Sequence, residues 1–261
     1  MNKTLSNDFR QAKINKKDEF YTQLTDIEKE LKYYKEYFKN KTIFCNCDDP
    51  EDSDFWNYFS INFEFLKLKK LISTHYEREK TSYKLEISLD INKDGKINKK
   101  DTIKTKLLQN GDFRSPECID ILNQSDIIVT NPPFSLFREY IDKIYKYKKK
   151  FIIIGNINTY SYKEIFRLIK ENKIWFGRSI KSGDREFRVP DNYPLTAANS
   201  RVDEFTGRKF VRVKGVRWFT NVKYDEMYPD LKLYKKYNKN EFPRYDNYNA
   251  INVEVTKDIP F

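Results

Sequence analysis

The residues best placed to do chemistry are Asn131-Pro132-Pro133-Phe134. They follow Asp126-Ile127-Ile128-Val129-Thr130, a β-branched run that reads as a buried parallel strand. They open into a helical pattern over Ser135 to Lys148, with Leu136, Tyr140, Ile144 and Tyr145 facing inward. In open α/β sheets ligands bind beyond the carboxyl ends of strands, so this tetrapeptide stands where a site belongs. A plain reading is a turn stiffened by two prolines. That reading leaves the Asn before the prolines and the exposed-side aromatic after them without a purpose.

Methyl transfer to the exocyclic amino group of a nucleobase gives them one. The lone pair of that nitrogen is delocalised into the ring and attacks poorly. Two fixed acceptors, the Asn131 carboxamide oxygen and a backbone carbonyl such as that of Pro132, would hold its two N–H groups. The nitrogen then becomes tetrahedral, with its lone pair aimed at an electrophilic methyl. Pro132 and Pro133 lock φ and so hold the carbonyl still. Phe134 would stack on the base, a contact worth about 1–3 kcal/mol. The base must leave its stack to arrive there.

Composition narrows the alternatives. The 261 residues make one large domain or a domain with an appendage. A single His argues against Ser/His/Asp hydrolysis and multi-histidine metal sites, and the chemistry above needs neither. Three Cys are an odd number and too few for a disulfide framework, so a reducing, cytoplasmic setting is expected. Met1 to Lys17 is polar with no apolar leader, and no stretch approaches the roughly 20 apolar residues of a membrane span. Twenty Phe, 19 Tyr and three Trp supply a core despite the high charge. The net charge of +11 points to a polyanionic partner, nucleic acid first, or to lysine-rich composition alone.

The elements that must position the tetrapeptide follow from periodicity. A capping box at Thr25-Asp26-Ile27-Glu28 and apolar residues at Leu24, Ile27, Leu31, Tyr34 and Phe38 predict a helix. Thr42–Cys45 predicts a buried strand, Phe55 to Leu66 a helix and Lys70–Thr74 a strand, which together make a β-α-β unit. Tyr83 to Leu89 alternates, Asn92-Lys93-Asp94-Gly95 is turn chemistry, and Ile97 to Leu107 resumes an extended pattern: a β-hairpin insertion over 83–107. Ser115-Pro116-Glu117 starts a helix whose inner face holds Ile119 and Leu122. Strands at Phe151–Gly155 and Ile174–Phe176 flank a helix from Tyr162 to Ile169. The alternation predicts a doubly wound α/β sheet. Turn formers fill 177–207, and Phe210 to Thr220 reads as a strand pair around Lys214-Gly215. A Tyr-, Lys- and Asn-rich stretch over 222–261 has little periodicity.

The tetrapeptide resembles the hallmark of amino-methyltransferases that use S-adenosylmethionine. The ordered set Asp18–Gln23, Cys45–Pro50, Gly111–Ser115, Thr130–Tyr140 and Arg217–Asn221 is similar to the EcoRI-type adenine-specific DNA methylases. That resemblance implies a Rossmann-like methyltransferase sheet and direct methyl transfer to a flipped adenine. It implies a mobile N-terminus over 1–17, a cofactor-binding catalytic core over 18–176, and a sheet extension with a DNA-recognition region over 177–261. Family members continue past Asp258–Phe261, so a recognition region either truncated or naturally short is expected here. A cognate restriction endonuclease acting on the same site, and a monomeric enzyme, are expected.

Carried over by residue, the resemblance implies that Phe20, Tyr21 and Thr22 close over the methionine part of S-adenosylmethionine. Asn46, Asp48 and Asp49 occupy the main cofactor loop, Asp112 and Phe113 hold its adenine, and Asn131 touches both cofactor and target. The usual Gly-x-Gly turn is absent after the first strand, but a cofactor without phosphate does not require one. Glu77 is a candidate for the ribose, with His75 a structural or surface residue nearby.

Other signals remain. Asp90 to Asp101 fits the calcium-loop pattern, but its flanks alternate like strands and lack the two helices of an EF-hand. Cys45-x-Cys47 lacks partners for a zinc site, so no metal is expected. The lysines at 146–150 and 232–239 read as solvated faces, the first with a possible phosphate contact. Arg208, Arg212 and Arg217 are better candidates for DNA contact, because Arg reads guanine bidentately. RNA-base or protein-glutamine methylation, and a basic DNA-binding or calcium-binding module, are the competing readings.

Overall fold

The strands expected at 42–45, 70–74, 126–130 and 151–155 are formed at 42–45, 70–74, 127–130 and 150–156 and lie side by side at the centre of a sheet. The structure, a computed structural model, describes residues 20–47, 49–77, 80–195, 199–224 and 237–247. By contacts the chain divides into two compact units, Met1–Lys223 and Tyr224–Phe261. The first carries everything below. The expected N-terminal arm, Asp48 and most of the 222–261 stretch lie outside the described residues.

Among the described residues, eight strands form the main sheet in the order β5 (Ile103–Lys106), β4 (Tyr83–Ile87), β3 (Lys70–Thr74), β2 (Thr42–Cys45), β6 (Ile127–Thr130), β7 (Lys150–Asn156), β12 (Val216–Thr220), β8 (Trp175–Phe176). The middle four are parallel. Strands buried on both faces lose the apolar–polar alternation, as in Thr42-Ile43-Phe44-Cys45 and Ile127-Ile128-Val129-Thr130. From β2 the chain steps to β3 on one side, then returns to β6 on the other. That reversal puts the crevice of a doubly wound sheet at the carboxyl ends of β2 and β6.

The helices are α1 (Leu24–Leu31), α2 (Lys35–Phe38), α3 (Asp54–Ile61), α4 (Pro116–Gln124), α5 (Phe137–Lys146) and α6 (Lys163–Lys170). Helix α4 starts as expected, with Ser115 accepting the Cys118 N–H and Pro116 in the first turn. Its buried face is Cys118, Ile121 and Leu122; Ile119 is only half-buried. The capping box at Thr25 is not formed: α1 begins at Leu24, whose N–H is capped by the Asp54 carboxylate of α3. A long-range partner has replaced the local one. Helix α3 stops at Ile61, short of Leu66, where the Tyr58 carbonyl accepts both the backbone N–H and the side-chain amide of Asn62.

Strands β4 and β5 are antiparallel, with Tyr83 opposite Lys106. The extended run expected from Ile97 begins only at Ile103. Between them the calcium-like loop is folded by its own side chains. Asp90 accepts the Asp94 and Gly95 N–H groups, and the buried Asp101 accepts those of Ile91, Asn92 and Asn98. Among the described residues no cluster of His, Cys, Asp or Glu is placed to hold a metal ion.

The largest departure lies at Gly215. The strands on either side of it were expected to pair; they enter different sheets. β11 (Lys209–Lys214) joins β1 (Tyr21–Thr22), β9 (Asp184–Val189) and β10 (Ser200–Val202) in an antiparallel sheet of order β1-β9-β11-β10. β12 pairs with β7 and β8. Gly215, at φ +70°, turns the chain between the sheets within one residue, a conformation that a side chain would strain. Strands β9 and β10 lie where only turns were expected.

The lysines after α5 do not all face solvent. Lys149 donates to the Asn123 and Ser125 carbonyls at the end of α4, and Lys150 to Asn221. Burial draws the Lys149 ammonium below its ordinary range. These two lysines tie the ends of neighbouring elements together.

Candidate functional site

Asn131 follows β6 and is almost fully buried. Its Nδ2 donates to the Phe20 carbonyl, 111 residues away. This contact decides which branch of the amide is the acceptor. The Pro133 carbonyl accepts the Leu136 N–H at 2.9 Å and so belongs to the helix start. Pro132, one residue earlier, is buried beside Asn131. A 3-10 turn over Phe134–Leu136 leads into α5.

The Phe134 ring was expected on the exposed side. The structure packs it instead, with its centroid 5.8 Å from Phe20 and 6.3 Å from Phe187 of β9. Phe20 also meets Phe187 at 5.8 Å and Tyr193 at 6.2 Å. The tetrapeptide is thus roofed by rings from the N-terminal segment and the second sheet. Nothing in the sequence marked Phe187, which sits among turn formers. Tyr21 and Thr22, expected beside the cofactor, are paired with Arg188 and Phe187 as strand β1.

Across the reversal, Asn46 is buried after β2 and accepts the Tyr140 hydroxyl of α5. The Cys47 N–H donates to Thr130 Oγ1 at 3.2 Å, tying the β2 loop to the end of β6. Asp49 lies 3.5 Å from His75 Nε2, and its other oxygen accepts the Glu51 N–H. His75 stacks on Tyr83 at 4.8 Å and meets the Ser82 hydroxyl through Nδ1 at 2.8 Å. The single His therefore orients a loop carboxylate, as a structural residue would. Burial, with the nearby Asp49 and Glu51 carboxylates, pushes the Tyr83 phenol well above its usual range, so it stays protonated. Glu77, the ribose candidate, is exposed, and its N–H donates to Asn110.

Asp112 is half-buried. Burial alone would raise its carboxyl, but the Arg114 guanidinium and amide outweigh that and hold it below the ordinary range. Oδ1 accepts the Arg114 N–H and Nε at 2.8 Å, and Oδ2 accepts one terminal nitrogen at 2.6 Å. A carboxylate has about four acceptor positions, so one remains after these three. Phe113 packs edge-on against Tyr140 at 5.1 Å. Gly111 makes this approach possible: at φ +76°, an added Cβ would lie 1.9 Å from the His75 carbonyl oxygen. Gly111→Ala is expected to lower stability by at least about 2 kcal/mol, read as a fall in Tm.

The three arginines belong to two sheets: Arg208 and Arg212 lie at the start of β11 and on it, and Arg217 lies on β12. Arg208 lines a groove of about 350 Å³ with Tyr21, Asp52, Arg188 and Phe210. Arg212 is exposed on β11 opposite Glu186. Arg217 is half-buried on β12 and donates to the Val216 carbonyl. Arg188, which the sequence did not single out, lies over the Tyr21 ring at 4.5 Å and bonds Asp52.

Known proteins resemble this chain along most of its length. The family described as adenine-specific methyltransferase EcoRI matches residues 8–261. The Type II methyltransferase M.EcoRI of Escherichia coli is 48% identical over 95% of this chain and 79% of its own length. The Type II methyltransferase M.MpnI of Mycoplasma pneumoniae is 38% identical over 97% of this chain and 76% of its own. No solved structure matches the chain. A match over nearly the whole length, on a fold that puts Asn131 at the reversal of a doubly wound sheet, makes the chain a member of the EcoRI family of adenine-specific DNA methyltransferases.

Proposed function

We propose that Asn131, Pro132, Pro133 and Phe134 receive a flipped adenine, and that the loops after β2, β5 and β6 hold S-adenosylmethionine. The observation that carries this reading is Asn131 at the carboxyl end of β6, its amide oriented by the Phe20 carbonyl. The Asn131 oxygen and the Pro132 carbonyl accept the two N–H groups of the adenine amine and direct its lone pair. Phe134 stacks on the base once the Phe20 ring gives way. That movement falls on strand β1, which is two residues long and pairs with β9 at the edge of its sheet.

The chemistry of the residues at the crevice fits a cationic nucleoside without phosphate: the Asn46 amide, the Asp49 and Asp112 carboxylates and the Phe113 ring, with no glycine-rich cradle. S-adenosylmethionine supplies a methyl group on a positively charged sulfur. Asp112 accepts the adenine amine of this cofactor through its remaining acceptor position, and Phe113 borders its ring. Asp48 and Asp49 face its positive charge, and Phe20, Tyr21 and Thr22 close over it. Residues 83–107 are an insertion into the core, and 177–261 form the DNA-recognition region with Arg208, Arg212 and Arg217 on the duplex. The enzyme acts in the cytoplasm as a monomer, alongside a restriction endonuclease for the same site.

Asp112→Asn tests the cofactor half. Loss of one hydrogen bond to a charged acceptor corresponds to a roughly 10- to 100-fold weaker Kd for S-adenosylmethionine. Calorimetric titration measures it, and an unchanged Kd would remove Asp112 from the site.

A further inference from the structure

Strands β10 and β11 are joined by Asp203 to Arg208, and at the tip stands Phe205, 98% exposed. A single exposed apolar residue is ordinary on a protein surface. This one is held on a stiff mount. The Asp203 N–H donates to the Arg208 carbonyl at 2.8 Å, and the Gly207 N–H to the Asp203 carbonyl at 2.9 Å. Asp203 Oδ1 accepts both the Thr206 N–H, at 2.9 Å, and the Thr206 hydroxyl, at 2.8 Å. Gly207 supplies the positive φ that the turn needs, at +68°. The turn is complete without an aromatic, and turn chemistry favours small polar residues at such positions.

The hairpin is tied to the proposed site. β11 pairs with β9, and Val211 stands opposite Phe187, whose ring packs on Phe20 and Phe134. From Val211 to Phe205 the hairpin can reach about 16–20 Å at 3.3 Å per residue. Either DNA groove is only about 8 Å deep. Exposed Arg201 and Arg208 flank the turn. Arg201 is neutralised by Glu186 and Asp203, whereas no carboxylate lies within ion-pair distance of Arg208 among the described residues.

Turning an adenine out of the duplex leaves a gap in the base stack, and apolar side chains inserted between base steps lower the cost of such distortions. We propose that Phe205 enters the DNA base stack beside the target adenine and fills the space it vacates, with Arg208 on the adjoining phosphate. This rests on the reading that Asn131-Pro132-Pro133-Phe134 receives a flipped adenine. It assigns the hairpin to the opening of the duplex and the tetrapeptide to the chemistry.

The test uses the full chain and a duplex carrying its methylated sequence, mapped by methylation-sensitive sequencing of DNA from expressing cells. In one set 2-aminopurine replaces the target adenine; in another an abasic residue stands opposite it, so that flipping costs little. Phe205→Ala should lose most of the fluorescence rise on binding and show a kcat/KM about 10- to 100-fold lower on the intact duplex. On the abasic duplex it should stay within about threefold of the parent enzyme. Phe205→Trp should restore flipping. The proposal is overturned if Phe205→Ala matches the parent on intact duplex, or if it loses both substrates equally. Asn131→Ala should lose both substrates, so failure of the site reading remains distinguishable.

Discussion

Asn131→Ala is expected to slow methyl transfer by at least about 10²- to 10³-fold, the scale seen when one preorganised polar group is removed from a reacting centre. The carboxamide has two jobs in this geometry. Its oxygen would accept one N–H of the target amine, and its Nδ2 holds the Phe20 carbonyl. Loss of the first strikes kcat, because the lone pair is no longer aimed. Loss of the second costs one ordinary hydrogen bond, about 1 kcal/mol, or roughly a fivefold weaker hold on S-adenosylmethionine. The split between a large kcat effect and a small Kd effect is the signature. Asn131→Asp keeps an acceptor but sets a carboxylate against the Phe20 carbonyl, so it should recover part of the rate and raise the cofactor KM. Radiolabelled methyl transfer into DNA gives kcat, and calorimetry gives Kd. Wild-type turnover by Asn131→Ala would end the assignment.

Glu30→Ala is expected to lower stability by about 3–5 kcal/mol, the cost of stripping one partner from a buried charged network. Glu30 is fully buried in α1. Oε1 accepts the Tyr34 hydroxyl at 2.8 Å and the Arg178 N–H at 2.9 Å. Oε2 accepts the Ser179 N–H at 2.7 Å and its hydroxyl at 2.6 Å. The carboxylate thereby pins the segment after β8 to the first helix. Gly177 lets that segment come close, since a Cβ there would lie 2.1 Å from Glu30 Oε1. Glu30→Gln should also lose stability, because its NH₂ must face a donor that the second oxygen now accepts. The midpoint of urea unfolding measures the loss. A shift below about 1 kcal/mol would mean that solvent replaces the network readily.

Much of the core was legible because its signals are local. Strands β2, β3, β6 and β7 and the start of α4 fall within a residue or two of expectation, since burial on both faces and Ser-Pro capping act over a few residues. The same logic misled at Thr25, where Asp54, thirty residues away in sequence, supplied the cap. It misled again beside Gly215, where two apolar strands with one glycine between them satisfy the hairpin pattern yet enter separate sheets. The segment 90–101, read as turn chemistry between two extended runs and set aside as a calcium loop, spends its carboxylates on its own backbone amides, which no sequence pattern distinguishes from a metal loop.

By itself, the sequence determined the parallel centre of the sheet, the position of Asn131 at the carboxyl end of a buried strand, and through the ordered motifs the family. Tertiary structure decided what surrounds that position. It brought the Phe20 carbonyl to Asn131, Phe187 onto Phe134, and Phe205 to the tip of a hairpin in the same sheet as β1. The reason is physical. Strand propensity and capping are properties of a few neighbouring side chains, whereas backbone hydrogen bonding between strands is generic. Which strand pairs with which is set by how the whole chain buries its apolar faces, and no local window contains that.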